Sequence, residues 1–324
     1  MWLPIEDQLP QINEGLLLVP SKPKPETSTE TQSQTETALE TETKVETETK
    51  VETETKVETE TTIETESIVE EELESDFDVE SDVETEAAPV FSTDLTVTFD
   101  EHTYHDGVNI HYAAPEESPN SNYCVVIDAG HQCKVPSSTV TVGATGKTTG
   151  QIEYELNLQV ALRLRNELVS RGYSVVMVRE TNNVNISNTD RARLANAYAA
   201  VYDEVILVSI HADSADESSA TGAHVIYTKK DNVNAIADVK FEESRTLARL
   251  IRTAYLENCE GIGKDRKNTA RDDLAVINGS AVPTVLLEMG FLSNPDEDIL
   301  MATDEFRANA ANGIANGIDA YFAN

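Results

Sequence analysis

Cysteine, basic residues and long apolar runs are scarce in this chain of 324 residues. The three cysteines, Cys124, Cys133 and Cys259, form no CxxC pair, which argues against a zinc knuckle or a thioredoxin-like redox site. A Cys133–Cys259 disulfide would suit an exported protein, but we favour free buried thiols. No run approaches the roughly 20 apolar residues of a membrane span. The N-terminus lacks the basic region and apolar core of a signal peptide, so export would need a leader outside this sequence or another route.

Positive charge is most depleted in the first third of the chain. Residues 1–118 hold five of the 24 Lys and Arg residues and 32 of the 59 Asp and Glu residues. Their net charge is −27, against −8 for residues 119–324 and −35 for the whole chain. A mildly acidic globular part gives no electrostatic basis for binding nucleic acid.

Residues 21–90 have low sequence complexity. The unit VETETK occurs at 45–50 and 51–56 and decays to VETETT at 57–62. One apolar residue in six buries too little surface to offset chain entropy, and the acidic charges repel one another. We therefore predict a disordered acidic tail over residues 1–90, in preference to a β-solenoid. Residues 91–120 recover some alternation and predict a linker that can form a hairpin at the edge of a domain.

From residue 121 to residue 324 the pattern is that of one α/β domain. Short runs rich in Val and Ile predict strands at 123–128, 174–179, 205–210, 223–228, 274–277 and 284–288. Apolar spacing and end signals predict four main helices: one within 151–172, one from Asn188 to Tyr202, one from Glu242 to Asn258 and one from Glu305 to Phe322. Strands that alternate with helices indicate a three-layer fold, with a twisted, mostly parallel sheet of about six strands flanked by helices.

Three of the predicted strands end in residues that can carry chemistry. VVIDAG leads to His131, EVILVSI leads to His211, and TVLLEMG contains Glu288. A fourth candidate, Glu153, opens the first long helix after the Gly-containing loop VGATGKTTG. Each has an ordinary alternative: a loop histidine, a strand-end cap, or a carboxylate at the positive end of a helix dipole. An ordinary structural role is hardest to assign to Glu288, because a carboxylate buried in an apolar strand needs a partner.

Taken together, these four residues favour a catalytic zinc site. Two imidazoles and one carboxylate are a common ligand set for catalytic Zn²⁺, with the fourth position left to water. His131, Glu153 and His211 fit the ligand roles, and Glu288 fits the acid/base that moves the proton of the water. The chain contains no HExxH motif, so it is not a zincin peptidase.

The motifs DAGH, a Glu at a helix start, SIHAD and PTVLLEMGFLSN occur in this order from about Tyr123 to the C-terminus. Together they resemble the zinc-dependent N-acetylmuramoyl-L-alanine amidases of bacterial cell-wall hydrolysis, specifically the type 3 amidase catalytic domain. The resemblance implies one Zn²⁺ ion held by His131, Glu153 and His211, with Glu288 as the catalytic carboxylate. Glu153 is preferred to Glu155 because EYELNL matches the helix opening of the family.

The resemblance also suggests supporting residues. Asp128 and Asp213 either orient the imidazoles or cap the strand ends, and the residues themselves leave both readings open. Arg179 and Arg191 match positions that are usually basic in the family, and we interpret them as structural. Arg271 precedes a strand that ends near the site and could meet an acidic stem peptide.

The resemblance implies cleavage of the amide between N-acetylmuramic acid and L-alanine in peptidoglycan. The alternatives are a zinc peptidase acting within the stem peptide and a non-catalytic cell-wall-binding module. We expect a monomer that acts outside the cell or in the bacterial cell wall. Only a short segment separates His211 from the next helix, so we expect no autoinhibitory insertion.

Overall fold

The computed structural model describes residues 97–99, 103, 106–135, 140–264 and 266–324. The predicted acidic tail, residues 1–90, lies outside the described residues. Within the described part of the chain, no helix is both long enough and apolar enough to cross a membrane.

Seven strands form one mixed sheet, in the order β1-β3-β2-β4-β7-β5-β6. The strands are β1 (Val108–Tyr112), β2 (Tyr123–Ala129), β3 (Ser174–Arg179), β4 (Glu204–Asp213), β5 (His224–Thr228), β6 (Thr269–Arg271) and β7 (Thr284–Phe291). The four central strands are parallel to one another, whereas β1 runs antiparallel to β3, and β5 runs antiparallel to β7. The expected α/β sheet is confirmed, with a parallel centre, one strand of opposite direction (β1) on one side and two (β5 and β6) on the other.

Among the residues that the structure describes, six helices flank the sheet. They are α1 (Glu153–Ser170), α2 (Asn188–Tyr198), α3 (Phe241–Asn258), α4 (Ala275–Asn278), α5 (Pro295–Met301) and α6 (Asp304–Phe322). The four long helices begin within one residue of the predicted starts or inside the predicted segment, because their apolar spacing and caps are local signals. Ser187 caps α2 and Thr303 caps α6, each by accepting a hydrogen bond from a backbone N–H in the first turn.

The strand predicted at 274–277 is wrong, because Ala275–Asn278 forms the short helix α4. Four apolar residues are too few to distinguish a buried strand from a buried helical turn. Val276 and Ile277 are buried in the helix as they would be in a core strand, and both join the core next to α2. Gly279 follows directly at the helix C-terminus.

Two cores lie on opposite faces of the sheet. Alternate residues of β2 and β4 divide between them: Val125 and Val208 join the core under α1, α3 and α6, and Val126 and Leu207 join the core next to α2. Such strict alternation fixes the face of every strand residue. Ser209 and His211 therefore share the α2 face with Leu207.

Residues before 121 contribute to this sheet. The edge strand β1 places Val108 opposite Arg179 and Ile110 opposite Met177 in β3. Upstream of β1, Phe99 packs against the α2-side core, and the Thr103 hydroxyl donates a buried hydrogen bond of 3.2 Å to Asp190. The segment interpreted as a linker thus includes an edge strand, which pairs with β3.

All three cysteines are free thiols. Cys124 and Cys259 are buried, and Cys133 is partly exposed. Burial raises the pKa of the Cys259 thiol to about 12, so it is protonated at neutral pH.

Candidate metal centre

His131, Glu153 and His211 come together at the carboxyl end of the central strands. One ligand atom from each lies within 4.8 Å of the other two. His131 follows β2, His211 lies near the end of β4, and Glu153 is the first residue of α1. Glu155 points elsewhere and accepts a hydrogen bond from the hydroxyl of Tyr154. Two imidazoles and one carboxylate at this spacing are a donor set that fits Zn²⁺.

The backbone of His131 adopts a left-handed conformation, with φ of 59°. Such a conformation costs a residue other than glycine on the order of 1–3 kcal/mol and is retained where the surroundings impose it. The imidazole Nδ1 lies 3.0 Å from the carbonyl oxygen of Thr141, and Nε2 lies 3.2 Å from Oε1 of Glu153. The turn therefore directs Nε2 into the cluster while Nδ1 is held from the other side.

Glu153 is the central member of the cluster. Its Oε1 lies 3.0 Å from Nδ1 of His211 and accepts a hydrogen bond from the Ala212 N–H, and its Oε2 accepts a 2.8 Å bond from the Ala144 N–H. Burial alone would raise the pKa of the Glu153 carboxyl, but hydrogen bonds from His131 and His211 outweigh it and hold the pKa far below the ordinary value. Glu153 is therefore ionised, as a metal ligand must be.

Two glycines leave the space that these side chains fill. A Cβ on Gly130 would lie 2.2 Å from Nε2 of His211, and a Cβ on Gly143 would lie 2.3 Å from Oε2 of Glu153. Gly143 also has a φ of 82°. The glycine of DAGH and the first glycine of VGATG are thus required by close approach.

The loop before Glu153 is anchored by Asp298 of α5. Its carboxylate accepts hydrogen bonds from the backbone N–H groups of Thr148 and Thr149 at 2.7 and 2.9 Å, and from the side chains of Thr149 and Gln151. Asp298 is fully buried. Sequence reasoning missed this residue, because an Asp in the first turn of PDED is typical of any helix N-terminus.

Glu288 of β7 is the direct neighbour of His211 in the parallel register of β4 and β7. Both line a cleft of about 300 Å³. Burial, together with the negative charges of Glu153 and Asp213, raises the pKa of the Glu288 carboxyl well above its usual value, against the opposing charge of Arg271. A carboxyl group with a raised pKa at a cleft is suited to proton transfer near neutral pH.

Asp128 forms a buried ion pair of 2.5 Å with Arg191 of α2 and accepts a 2.7 Å hydrogen bond from the Ser209 hydroxyl. Although burial alone would raise the pKa of the Asp128 carboxyl, the charge of Arg191 and the Ser209 bond lower it overall.

Arg179 and Arg191 hold the backbone that carries His131. Arg191 donates to the carbonyl oxygens of Ala129 and His131, and Arg179 donates to those of Ala129 and Gly130. Burial and the nearby charge of Arg191 lower the pKa of Arg179 to about 9. These contacts shape the turn that leads from β2 to His131. They are the kind of contact expected of structural arginines.

Asp213 and Arg271, the other two supporting residues suggested by the sequence, lie near the cluster. Asp213 accepts a hydrogen bond from the Ser214 N–H, and its Oδ2 lies 4.0 Å from Nε2 of His224, a buried imidazole that sequence reasoning missed. Arg271 lines the cleft and forms a half-exposed ion pair of 2.6 Å with Asp273.

The cleft continues from the cluster along the α2 face of the sheet. Beyond the cluster its lining combines polar side chains, among them Asn188, Arg191 and Arg271, with apolar ones that include Ile226, Leu274, Ala275, Val276 and Leu286. Residues 214–240, between β4 and α3, contain β5 and no helix.

Comparison with known proteins gives a consistent picture. A family model described as N-acetylmuramoyl-L-alanine amidase matches residues 125–320. Two relatives carry the same description: AmiC of Neisseria meningitidis, 28% identical over 228 residues, and a protein of Mycobacterium tuberculosis, 30% identical over 214 residues. Each match covers 61% of this chain; it spans about half (52%) of the Neisseria protein and 86% of the mycobacterial one. The crystal structure of the Clostridium difficile 630 amidase aligns with a TM-score of 0.53 and 30% identity, covering 62% of this chain and 97% of that one.

Proposed function

The chain belongs to the N-acetylmuramoyl-L-alanine amidase family, and we propose that it is a zinc-dependent peptidoglycan hydrolase. In the proposed reaction, water cleaves the amide between the lactyl group of N-acetylmuramic acid and L-alanine of the stem peptide. The products are a lactyl carboxylate on the glycan and a free amine on the peptide. The observation that carries this proposal is the cluster of His131, Glu153 and His211, two of which line the same cleft as Glu288.

We assign His131, Glu153 and His211 as the residues that would hold one Zn²⁺ ion. The ion, when bound, would polarise the scissile carbonyl and lower the pKa of the attacking water. Glu153 reaches both imidazoles through Oε1, so the three donors are already gathered. The ionised state of Glu153 and the contact of His131 Nδ1 with Thr141 suit these side chains to ligation.

Glu288 is the proposed general acid/base. It accepts the proton of the attacking water and then delivers that proton to the departing nitrogen, so that no charged amide anion has to leave. The raised pKa of its carboxyl suits the second step, in which the protonated form donates to the nitrogen. Arg271, on the same cleft, is the proposed contact for a carboxylate of the stem peptide.

We propose that this activity is exerted in the bacterial cell wall or outside the cell, where peptidoglycan is accessible. Residues 1–90 would act as an acidic spacer and residues 91–120 as a linker that includes β1. Residues 121–324 would supply every catalytic group.

Zinc analysis combined with a digest of purified cell walls tests this function. Wild-type protein should hold one equivalent of zinc and release free stem peptides, with mass spectrometry showing a lactyl carboxylate on the glycan. Glu288→Ala is the matched control: it should retain the zinc and lose turnover by about 10²–10⁴-fold. Cleavage between two amino acids would indicate a stem peptidase instead. Wall binding without any release, even with added zinc, would indicate a non-catalytic module.

A further inference from the structure

Asn157 lies one helical turn after Glu153, on the buried face of α1. Residues four apart on a helix are neighbours on the same side. The side chain of Asn157 is fully buried, and Val160 and Leu164, which follow it on this face, are apolar and also fully buried. Asparagine is a weak helix former, and a buried amide needs hydrogen-bond partners. Stability alone would therefore favour an apolar residue at this position.

The amide nitrogen of Asn157 bridges two elements that carry residues of the cluster. Nδ2 lies 3.3 Å from Oε1 of Glu153 and 3.2 Å from the carbonyl oxygen of Gly130, the residue before His131. A carbonyl and an ionised carboxylate can only accept, so the NH₂ end of the amide, with one hydrogen for each, has to face them. The Oδ1 atom has no hydrogen-bond partner in the described part of the chain. The donor end of the amide is thus committed to the cluster.

The peptide group of Gly130 is held at a fixed position in the turn before His131. Its carbonyl oxygen accepts a second hydrogen bond, of 3.0 Å, from Arg179, and its N–H donates to the Ile210 carbonyl at 2.9 Å. The bond from Asn157 joins helix α1 to this restrained turn. One side chain therefore links the carboxylate of the cluster to the backbone that carries one of its imidazoles.

Among the described residues, Asn157 is the one side chain besides the two imidazoles that donates to Glu153. The other donors are the backbone N–H groups of Ala144 and Ala212. An imidazole nitrogen that coordinates a cation has no proton to donate to a carboxylate. The amide of Asn157 has both its protons whether or not a cation is bound. Its ability to donate to Oε1 is therefore independent of the state of the imidazoles.

We propose that Asn157 is a positioning residue for Glu153, and that its amide sets the carboxylate in register with the turn that carries His131. This inference rests on the proposed zinc site and adds a residue to its support. The amide donates to Oε1 and to the Gly130 carbonyl at the same time, which restrains the separation of the two acceptors. A donor set that is ordered in advance binds a metal more tightly than one that has to be ordered on binding.

The zinc affinity of the full chain, measured by competition with a chelator, tests the inference. Asn157→Leu removes both hydrogen bonds with little change in side-chain size, and it should weaken zinc binding by about 10- to 100-fold. A merely structural role would lower the Tm of the metal-free protein and leave zinc affinity unchanged, and that outcome would overturn the inference.

The matched control is Asn196→Leu. Asn196 is an asparagine of α2 whose side chain donates to the Gly279 carbonyl and accepts from the Ala281 N–H, in the segment that precedes β7. Its loss should lower Tm and leave zinc affinity unchanged. An equal fall in zinc affinity in Asn157→Leu and Asn196→Leu would contradict the inference.

A double variant tests whether Asn157 acts through Glu153. In a Glu153→Ala background the carboxylate is absent, so Asn157→Leu should weaken the residual zinc binding much less than it does in the wild-type background. Fully additive effects would show that Asn157 acts by another route and would overturn the inference.

An NMR measurement on the metal-free protein keeps the inference testable if Asn157→Leu fails to fold or the wild type binds no zinc. Glu153→Ala should shift the side-chain amide resonances of Asn157 and leave those of Asn196 in place. Unmoved Asn157 resonances would refute the hydrogen bond. A wild type that binds zinc and cleaves no cell wall would refute the proposed function, whereas weaker zinc binding by Asn157→Leu would still support the role of Asn157.

Discussion

Gly130 is in contact with the imidazole of His211 from the neighbouring strand, so closely that a Cβ at position 130 would lie 2.2 Å from Nε2. The backbone N–H of Gly130 also donates a 2.9 Å hydrogen bond to the Ile210 carbonyl, which holds the two strand ends together. The glycine of the DAGH motif therefore positions a side chain that is 81 residues distant in the sequence.

Gly130→Ala should displace the His211 imidazole and weaken zinc binding. A Cβ that close to a ring requires the ring or the strand to move, and displacement of one ligand degrades a three-ligand site. We expect zinc affinity and activity to fall by at least about 10-fold. The control is Gly150→Ala, where a Cβ meets nothing within 4 Å although φ is 74°. It should cost stability only, and equal zinc affinities in the two variants would contradict this account.

His211→Ala should abolish stoichiometric zinc and the stabilisation that zinc confers. A ligand present at 100 times its Kd stabilises the folded protein by about 2.7 kcal/mol, and this term disappears with the site. The measurement is Tm with zinc and with a chelator, together with metal analysis. Tight retention of one equivalent by the variant would remove His211 from the ligand set.

Arg191→Met should strongly destabilise the domain, because it leaves the buried Asp128 carboxylate without its ion-pair partner. Breaking a buried pair from one side costs about 3–5 kcal/mol. The double variant Asp128→Leu/Arg191→Met should recover part of that loss, because no lone charge remains. Urea unfolding of the wild type, the single variant and the double variant measures both the loss of stability and its partial recovery. A double variant that is less stable than Arg191→Met would contradict this interpretation.

Stability should fall in acid partly through Asp298. Burial raises the pKa of this carboxyl, but hydrogen bonds from Thr149 and Gln151 outweigh it, so the pKa in the folded state is below the ordinary value. A depressed pKa contributes stability that is present above the unfolded-state pKa of about 3.9 and is lost as pH falls through the folded-state pKa. Asp298→Asn should be less stable than wild type at pH 6 and lose less stability between pH 6 and pH 3. Parallel pH profiles for the two proteins would exclude this contribution.

Truncation should distinguish residues 97–324 from residues 119–324. The shorter fragment lacks β1 and the contacts of Phe99 and Thr103, so it exposes the edge of β3 and part of the α2-side core. We expect both fragments to retain the catalytic groups, with a clearly lower Tm for the shorter one. Equal Tm values would show that the edge strand contributes nothing to stability. Loss of hydrolysis in the 97–324 fragment would show that the acidic segment is more than a spacer.

The strands and helices that follow local patterns were predictable from the sequence. Helix α1 is indicated by apolar residues on one face, and β2, β3, β4 and β7 by short runs rich in Val, Ile and Leu. Strand β6 was missed because it is a short edge strand whose pairing partner lies far away along the chain. Strand β1 lies in the segment for which the sequence predicted a linker with a possible hairpin at the edge of the domain. The segment at 274–277 was misassigned because an apolar run of four residues is too short to show either the helical or the strand periodicity.

The sequence by itself determined the residue types of the site and their order along the chain: two histidines and two glutamates at strand ends and one helix start. Those positions follow from local patterning, because a polar residue that ends an apolar strand is visible without any knowledge of neighbours. Only the tertiary structure decided which groups the other polar side chains contact. It pairs Asp128 with Arg191, places Asp213 beside His224, and makes His224 the strand partner of Glu288. These contacts depend on strand order and register, which are set by long-range packing of the two sheet faces and leave no periodic trace in the chain.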